Sequence, residues 1–327
     1  MSDAPPFSIT PQMIHLVEAI GESIGLRTAR SQAESLSLRR INRIRTLHGS
    51  LAIEGNTLSE EEIRTILEGK TVVAPPREIQ EVRNAIKAYD AFQRWDPSKR
   101  EDLLAAHALL MVGLVDEPGA FRRKAAGVMG PDGAVIHVAP PAKLVPTLMA
   151  DLQGWLGETD VHPLIASAVF HYEFEFIHPF VDGNGRMGRL WQTCVLTQWK
   201  PLFADVPVES MIYQRQAEYY AVLRECGAAG HSTAFIEFML TAIADTLGTS
   251  DQVSDQVSDQ VAKLLKVLKS GPKSAAAIMA KLGLSHRPSF RTRYLRPALD
   301  AGLVEMTLPE TPNATNQRYR LSGTKKP

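Results

Sequence analysis

The sequence predicts a mainly α-helical protein with one β-hairpin in its body and a small winged-helix domain at its C-terminus. Apolar residues recur at helical spacing through most of residues 1–248. In that body only the segment 126–138 has two short β-type runs around a turn, Gly-Pro-Asp-Gly. The repeat SDQVSDQVSDQV then separates the body from a basic tail. These three observations define the fold class.

Residues 1–100 are predicted to form an N-terminal helical region. Its apolar positions with helical spacing are Met13, Leu16, Val17, Ile20, Leu36, Leu38, Ile41, Ile44 and Leu47. Ser59 and Glu62 have the form of a capping box, which begins a further helix that ends at Gly69. The run VVAPP is a helix breaker. A helical pattern resumes over 77–92.

Residues 101–248 are predicted to form the central helical domain, with the hairpin 126–138 inserted in it. The spacing predicts helices over 102–114, 144–156, 163–176, 185–199, 214–226 and 232–247. The loop before the fourth of these helices has the sequence HPFVDGNG.

The repeat at 249–260 is predicted to be a helical or frayed linker, and 261–327 a winged-helix domain. In the tail we expect helices at 261–268, 272–282 and 288–301 and strands at 302–308 and 318–321. The chain has no net formal charge, yet this tail carries 13 Lys and Arg against 3 Asp and Glu. An acidic body with a basic tail indicates two modules with different partners.

The composition is typical of an ordinary globular protein. The first residues show no basic and apolar pattern of a secretory signal, and no run of about 18 apolar residues occurs. Cys194 and Cys226 lie in helical stretches without metal-ligand spacing, which favours small core residues in a reducing compartment. We therefore expect no membrane contact and a cytoplasmic location.

Three short patterns fail in their context. The segment 183–188 satisfies G-x-G-x-x-G, but a helical stretch precedes it and no parallel-strand pattern follows, which excludes a dinucleotide-binding fold. The end of a P-loop at 69–71 lacks the first glycine of that motif. The start of a calcium loop at Asp182 has Met187 in place of the turn glycine.

The glycine-rich loop has the chemistry of an anion site on its own account. Gly183 and Gly185 allow a close approach of the backbone and a positive φ. They lie at the start of a helix, where free N–H groups attract an anion. Arg186 and Arg189, three residues apart, share a helix face and can bind two phosphates.

Two further side chains of this loop complete a nucleotide-type site. Asp182 is placed to hold Mg²⁺, which takes one or two carboxylates together with substrate phosphates and water. His178, four residues earlier, is the natural proton acceptor for an attacking hydroxyl. The structural alternative is a buried loop in which the histidine caps a helix and the aspartate pairs with an arginine.

The stretch HPFVDGNGRMGR, residues 178–189, resembles the signature HPFxDGNGRxxR of the Fic family at every specified position. This resemblance implies an all-helical Fic core with the hairpin as a target-docking flap. It implies transfer of AMP from ATP to a protein hydroxyl with Mg²⁺, with His178 as the base and Asp182 as the metal ligand. Gly183, Asn184, Gly185 and Arg186 would then cradle the phosphates, and Arg189 would bind the γ-phosphate.

The stretch SLAIEGN, from Ser50, matches a second pattern of the same family, [ST]xxxE[GN], which is an inhibitory helix there. Ser50 and Glu54 are four apart and share a helical face, and Gly55 completes the motif. A carboxylate brought to Arg189 would occupy the γ-phosphate position. The resemblance also allows Glu54 to serve as the base of a reverse reaction that removes AMP. A solvated surface glutamate is the plain alternative.

Other residues have two interpretations each. Tyr219 and Tyr220 fall where relatives line the adenine pocket, and aromatic core packing explains them equally well. Phe180 is expected to be a core anchor of the loop. His171 and Glu175 share a helix face, but without a third ligand a structural pair is expected rather than a metal site.

The partners implied are a target protein with a hydroxyl side chain, the chain itself through self-modification or homo-oligomer formation, and DNA. The basic side chains around the third helix of the tail are His286, Arg287, Arg291, Arg293 and Arg296. Protein contacts through this face remain open. The alternative functions are a DNA-binding regulator whose core senses nucleotides, transfer of another phosphate-bearing group, and removal of AMP from a target.

Overall fold

The structure is a computed structural model that describes residues 4–30, 36–129, 135–300, 303–311 and 314–321. The chain divides into two compact units, the first made of residues 1–23 with 43–247 and the second of residues 24–42 with 248–327. The predicted turn at 130–133 and the last residues of the predicted tail lie outside the described residues. The domain boundaries predicted from the sequence remain a prediction.

The chain is mainly α-helical, as predicted. Its helices are α1 (Pro11–Arg30), α2 (Leu36–Ile53), α3 (Glu60–Leu67), α4 (Pro76–Ala91), α5 (Arg100–Met111), α6 (Val145–Glu158), α7 (Pro163–Ile177), α8 (Asn184–Trp199), α9 (Val208–Gln214), α10 (Gln216–Ala229), α11 (Thr233–Leu268), α12 (Ala275–Lys281), α13 (Arg287–Phe290) and α14 (Arg296–Asp300). The strands are β1 (Gly127–Met129), β2 (Val135–Val138), β3 (Val304–Met306) and β4 (Tyr319–Leu321).

The predicted capping box begins α3. The Ser59 hydroxyl accepts a hydrogen bond from the Glu62 N–H, and the Glu62 carboxylate accepts one from the Ser59 N–H. Gly69 follows the helix with a φ of 74°, a left-handed conformation that glycine adopts at low cost. The local chemistry of the sequence therefore defines both ends of this helix.

Strands β1 and β2 form the antiparallel hairpin of the flap, with Gly127 opposite Val138. The Ala139 N–H donates to the Ala126 carbonyl at 3.1 Å and closes the base of the hairpin. The flap predicted at 126–138 is thus present in its described residues.

Helices α7 and α8 form the centre of the first unit. Nearly every residue of both helices is buried, including Phe170, Phe174, Leu190 and Trp191. Helix α7 is apolar on most of its surface, as expected of a helix in the interior of a protein, whereas α8 also buries polar and charged side chains. The loop that joins these two helices therefore starts and ends on a rigid support.

The described part of the second unit ends with three short helical elements and a hairpin. Its buried core includes Leu264, Ile278, Phe290 and Val304. The backbone of the repeat is helical within α11, since a valine every fourth residue suits a helix. The predicted helix over 288–301 is instead α13, a π-helical turn at Arg291–Leu295, and α14. Pro297 has no N–H to donate, which explains the wider turn before it.

Two further features of the structure concern the cysteines and the length and polarity of the helices. Both cysteines are free thiols and buried, as predicted. Across the described residues, every helix is too short or too polar to cross a membrane.

Candidate active site

The loop between α7 and α8 begins at His178, which has a left-handed backbone with φ 50° and ψ 60°. Among the described residues it is the one non-glycine with a positive φ. This conformation costs a non-glycine residue about 1–2 kcal/mol. The His178 N–H caps α7 by donating to the Phe174 carbonyl at 2.9 Å. The surrounding contacts must therefore hold His178 in place.

Asn184 closes the loop with two hydrogen bonds to one residue. Its amide oxygen accepts from the Phe180 N–H and its amide nitrogen donates to the Phe180 carbonyl, both at 2.9 Å. Phe180 is fully buried, which confirms its predicted role as a core anchor. Because the Asn184 side chain is bound within the loop, only its backbone N–H is left for the predicted contact with a phosphate at the start of α8.

His107 supports this loop from α5, and the sequence did not indicate it. Its ring stacks on Phe180 with centroids 3.6 Å apart. The Gly119 N–H donates to Nδ1 at 2.8 Å, so Nε2 carries the proton and donates to the Asp182 carbonyl at 3.0 Å. Burial lowers the pKa of His107 to about 4. The ring is therefore neutral at pH 7 and keeps both bonds.

Asp182 lies at the N-terminus of α8 among cationic groups. Its carboxylate accepts from the Gly183 N–H at 2.6 Å and from Nη2 of Arg186 and Nη2 of Arg77, each at 3.1 Å. Arg186 is almost fully buried and lies 3.4 Å from Glu81 as well. The structure thus brings together the predicted carboxylate and the predicted phosphate-binding arginine.

Asp182 fits the predicted magnesium site in its chemistry. Its side chain is 39% exposed and adjoins the free N–H groups at the start of α8. Within the described residues no three His, Cys, Asp or Glu side chains gather around one point. The magnesium role of Asp182 remains a prediction, based on a metal that takes one or two carboxylates and completes its shell with phosphate oxygens and water.

Arg189, one turn into α8, is buried and paired with the predicted inhibitory motif. Its Nη2 donates to the Glu54 carboxylate at 2.7 Å and to the Ser50 carbonyl at 2.9 Å. Burial alone would lower the pKa of Arg189, but the attraction of Glu54 is among the effects that raise it. Both motif residues therefore contact the arginine that was predicted to bind the γ-phosphate.

Three glycines permit this approach. A Cβ at Gly49 would lie 2.6 Å from the backbone of Glu209 and Ser210, so α2 packs tightly on α9. A Cβ at Gly185 would overlap the Glu54 carboxylate. Gly55 has a φ of 88° and turns the chain directly after Glu54. Glu54 thus lies over the N-terminus of α8.

Gly183 is fixed by backbone conformation and by space. Its φ is 85°, and a Cβ there would lie 2.6 Å from the sulfur of Met111. It occupies the N-cap position of α8. Gly183 therefore provides the left-handed N-cap of α8, and Gly185 allows the close contact with Glu54.

The two tyrosines differ in their surroundings. Tyr219 is buried, packs on Phe235 with centroids 5.8 Å apart, and its hydroxyl lies 3.1 Å from Nε2 of His171. These contacts favour the core-packing interpretation for Tyr219. Tyr220 is half-buried, and its adenine role remains a prediction.

His171 and Glu175 lie 3.8 Å apart but do not form an ion pair at pH 7. Burial lowers the pKa of His171 to about 3 and raises that of Glu175 to about 8, so both are neutral. Nδ1 of His171 is 2.8 Å from the Gln192 amide oxygen. These contacts are those expected of a structural pair.

Two family models match the chain. The model of the Fic/DOC family matches residues 97–196. The model "Filamentation induced by cAMP protein Fic-like, C-terminal domain" matches residues 259–322. The first range contains the loop with His178 and Arg189, and the second covers most of the predicted winged-helix tail.

Several curated proteins are similar in part. The protein adenylyltransferase Fic of Culex quinquefasciatus is 32% identical over 218 residues, which is 62% of this chain and 41% of that protein. The protein of the same name from Drosophila melanogaster is 31% identical over 244 residues, 71% of this chain and 45% of that protein. This chain therefore spans less than half the length of these relatives.

Solved structures match over more of the chain. A Fic family protein from Desulfovibrio desulfuricans G20 is 51% identical to this chain, and its structure matches with a TM-score of 0.75. The match covers 99% of this chain and 100% of that one. A Fic domain containing signaling protein from Bacteroides thetaiotaomicron is 17% identical with a TM-score of 0.58, covering 84% and 98%. The second match shows likeness of fold alone.

Proposed function

This chain belongs to the Fic family, and on that premise we propose that it transfers AMP from ATP to a hydroxyl side chain of a protein. The observation that carries the proposal is the short loop between α7 and α8. It joins His178 at the end of one helix to Asp182 and the anion-binding start of the next. The curated relatives named protein adenylyltransferase support this reaction class.

In the proposed reaction the ATP phosphates lie against the N–H groups of Asn184 and Gly185 and against Arg186. Asp182 would hold Mg²⁺, which would neutralise phosphate charge. His178 accepts the proton of the target hydroxyl while its oxygen bonds to the α-phosphorus and the bond to the leaving pyrophosphate breaks. Such a base is worth about 10²–10⁴-fold in rate. Positioning and charge neutralisation supply much of the rest.

We further propose that Glu54 inhibits the reaction by occupying the γ-phosphate position at Arg189. The 2.7 Å ion pair and the Ser50 contact support this. A nucleotide that cannot place its γ-phosphate would hold its α-phosphate out of line, and an error of about 1 Å costs about 10²-fold in rate. The alternative is the reverse reaction, in which Glu54 serves as the base and AMP is removed from a modified target protein.

The test is the intact mass of the purified protein after incubation with Mg²⁺ and ATP. We compare wild type, Glu54→Gly, Glu54→Gln, and Glu54→Gly with His178→Ala. Whole AMP units should appear in Glu54→Gly, weakly in wild type, and not in the double variant. A gain of phosphate would contradict AMP transfer. If no mass is gained, lysate proteins labelled with α-phosphate-tagged ATP decide whether an external target is modified.

The protein partner of this proposal docks on the flap. Strand β2 ends at Val138, whose side chain is 74% exposed, and an extended target segment can add to such a hairpin as a further strand. A second copy of the chain is one such target, so self-modification within a homo-oligomer is included. Size-exclusion mass at several protein concentrations, read beside the AMP mass, tests this.

A second candidate function is DNA binding by a winged helix in the second unit. Four exposed arginines support it, and within the described residues none has an ion-pair partner; they are Arg287, Arg291, Arg293 and Arg296. Two of them, Arg287 and Arg291, line both of two adjacent cavities of about 880 Å³ and 610 Å³. His286 is the N-cap of α13, where its ring accepts from the Ser289 N–H.

Fluorescence anisotropy with duplex DNA tests this candidate. If the arginines neutralise four phosphates, a plot of the logarithm of the DNA association constant against the logarithm of the salt concentration should fall with a slope of about 3–4. Arg291→Glu with Arg293→Glu should abolish retention, and Arg123→Glu in the first unit should not. DNA retention without AMP transfer in Glu54→Gly would favour a regulator that senses nucleotides. The absence of retention would favour a protein-contacting role for the domain.

A further inference from the structure

Arg122 is a buried cation between α5 and the flap, and its side chain is only 3% exposed. Nε donates to the His178 carbonyl at 2.7 Å, and Nη2 donates to the Ile177 carbonyl at 3.2 Å. The Arg122 backbone N–H donates to the Pro179 carbonyl at 2.9 Å. One residue thus binds three consecutive carbonyls at the start of the catalytic loop.

The same guanidinium also binds both ends of the flap. Nη1 donates to the Lys124 carbonyl at 2.8 Å, just before β1, and Nη2 donates to the Pro140 carbonyl at 2.6 Å, just after β2. A guanidinium presents five N–H donors in a rigid fork, whereas an ammonium is a single point of charge. Arginine is therefore the one common side chain that reaches all of these carbonyls together.

The Arg122 guanidinium is unusual for a buried cation in the kind of partner that it has. Within the described residues its side chain bonds to backbone carbonyls only, and no carboxylate pairs with it. A buried charge without a counter-ion is costly, and burial lowers the pKa of Arg122. A simple helix cap needs no such charge, since a neutral donor satisfies a C-terminal carbonyl equally well.

We propose that Arg122 is a positioning residue that couples the flap to the left-handed backbone of His178. A polypeptide that adds to the flap as a strand then fixes the two ends of the hairpin, and the Arg122 fork transmits this order to the general base. This inference rests on the proposed AMP transfer. It extends that proposal, because the target itself helps to orient the residue that deprotonates it.

The test uses the Glu54→Gly protein as background, with Arg122→Lys and Arg122→Gln. The matched control is Arg123→Lys, since the neighbouring Arg123 is 80% exposed and lies 3.7 Å from Glu117. We expect kcat for AMP transfer to fall about 10–10²-fold in both Arg122 variants, as a misplaced base requires. The affinity for a non-hydrolysable ATP analogue should change less than about twofold.

Hydrogen exchange supplies a readout that does not depend on activity. In Arg122→Lys we expect faster exchange at two separate amides, that of His178 and that of Ala139 at the base of the flap, with α8 unchanged. Arg122→Gln introduces no buried charge and is the variant to use if the lysine protein does not fold.

The outcomes separate the two proposals. If Glu54→Gly transfers no AMP to itself or to a lysate protein, the proposed function fails, while the exchange experiment still tests the coupling. If Glu54→Gly is active and the Arg122 variants keep kcat within about twofold of the control, the coupling is wrong. Faster exchange at His178 alone would also overturn it, since that pattern indicates a local cap of α7.

Discussion

Gly185 and Glu54 are complementary in shape: the carboxylate of Glu54 occupies the space that a Cβ at residue 185 would fill. The contact joins the turn after α2 to the first turn of α8, and Arg189 holds the same carboxylate from the other side at 2.7 Å. The preference for glycine at 185 thus has a cause in the contact with Glu54.

We expect Gly185→Ala to destabilise the protein by about 1–3 kcal/mol, the usual cost of overpacking. In the Glu54→Gly background the same substitution should cost much less, because the overlapping carboxylate is gone. Thermal unfolding of the four proteins in this cycle measures the coupling. Gly154→Ala, in α6 with open space around it, is the control and should be additive. Additivity at Gly185 as well would contradict the contact.

Gly49→Ala should weaken inhibition from a distance. The added methyl meets the backbone of Glu209 and Ser210, which cannot rotate away, and so forces α2 off α9. We expect a loss of about 1–3 kcal/mol in stability together with more AMP per chain than in wild type. Intact mass and a denaturation curve report both effects. A destabilised protein that gains no AMP would show that the position of α2 does not control the site.

Stability should fall with rising pH because of Glu175. Burial raises the pKa of this carboxyl from 4.5 to about 8, so between these values the folded protein holds a proton that the unfolded chain has lost. The Glu175 contribution to the free energy of unfolding then decreases as pH rises through this window, by at most about 1.4 kcal/mol per pH unit. Below about pH 6.5 the lowered pKa values of His107 and His171 act in the opposite direction. Denaturant titrations between about pH 7 and pH 8 should therefore show the decrease in wild type and a smaller one in Glu175→Gln. Glu101→Gln, an exposed change, should keep it.

His107→Phe separates stacking from hydrogen bonding. The phenyl ring keeps the contact with Phe180 but leaves the Gly119 N–H and the Asp182 carbonyl without their partner. Each buried group left unpaired costs about 1–3 kcal/mol. We expect lower stability and, in the Glu54→Gly background, slower AMP transfer; chemical denaturation and initial rates measure them. The exposed His15→Phe serves as control, and equal behaviour of the two variants would argue against a loop-positioning role for His107.

The parts of the fold that depend on neighbouring residues followed from the sequence. The capping box at Ser59, the flap and the loop from His178 to Arg189 each carry their chemistry within a dozen residues. Even the contact of Glu54 with Arg189, 135 residues apart in the chain, followed from the family resemblance. A local pattern suffices where the group that acts and the group that positions it are close in sequence.

The supports of the loop could not be predicted in the same way. His107 binds Asp182 from 75 residues away, and Arg122 binds His178 from 56 residues away. Neither has neighbours that distinguish it from an ordinary histidine or a surface arginine. The helix predicted over 214–226 corresponds to α10, but the seven-residue helix α9 before it was missed.

The two members of the Glu54–Arg189 pair differ in access: the arginine side chain is 1% exposed, whereas that of the glutamate is 29% exposed. Asn56, two residues after the glutamate, is bound to Glu81 at 2.9 Å and to the Glu78 carbonyl at 3.2 Å. Activation would therefore leave the catalytic machinery untouched and displace one surface turn that pivots at Gly55. A protein inhibited in this way would be stored fully assembled, and the time it needs to respond would be that of a loop opening rather than of a domain folding.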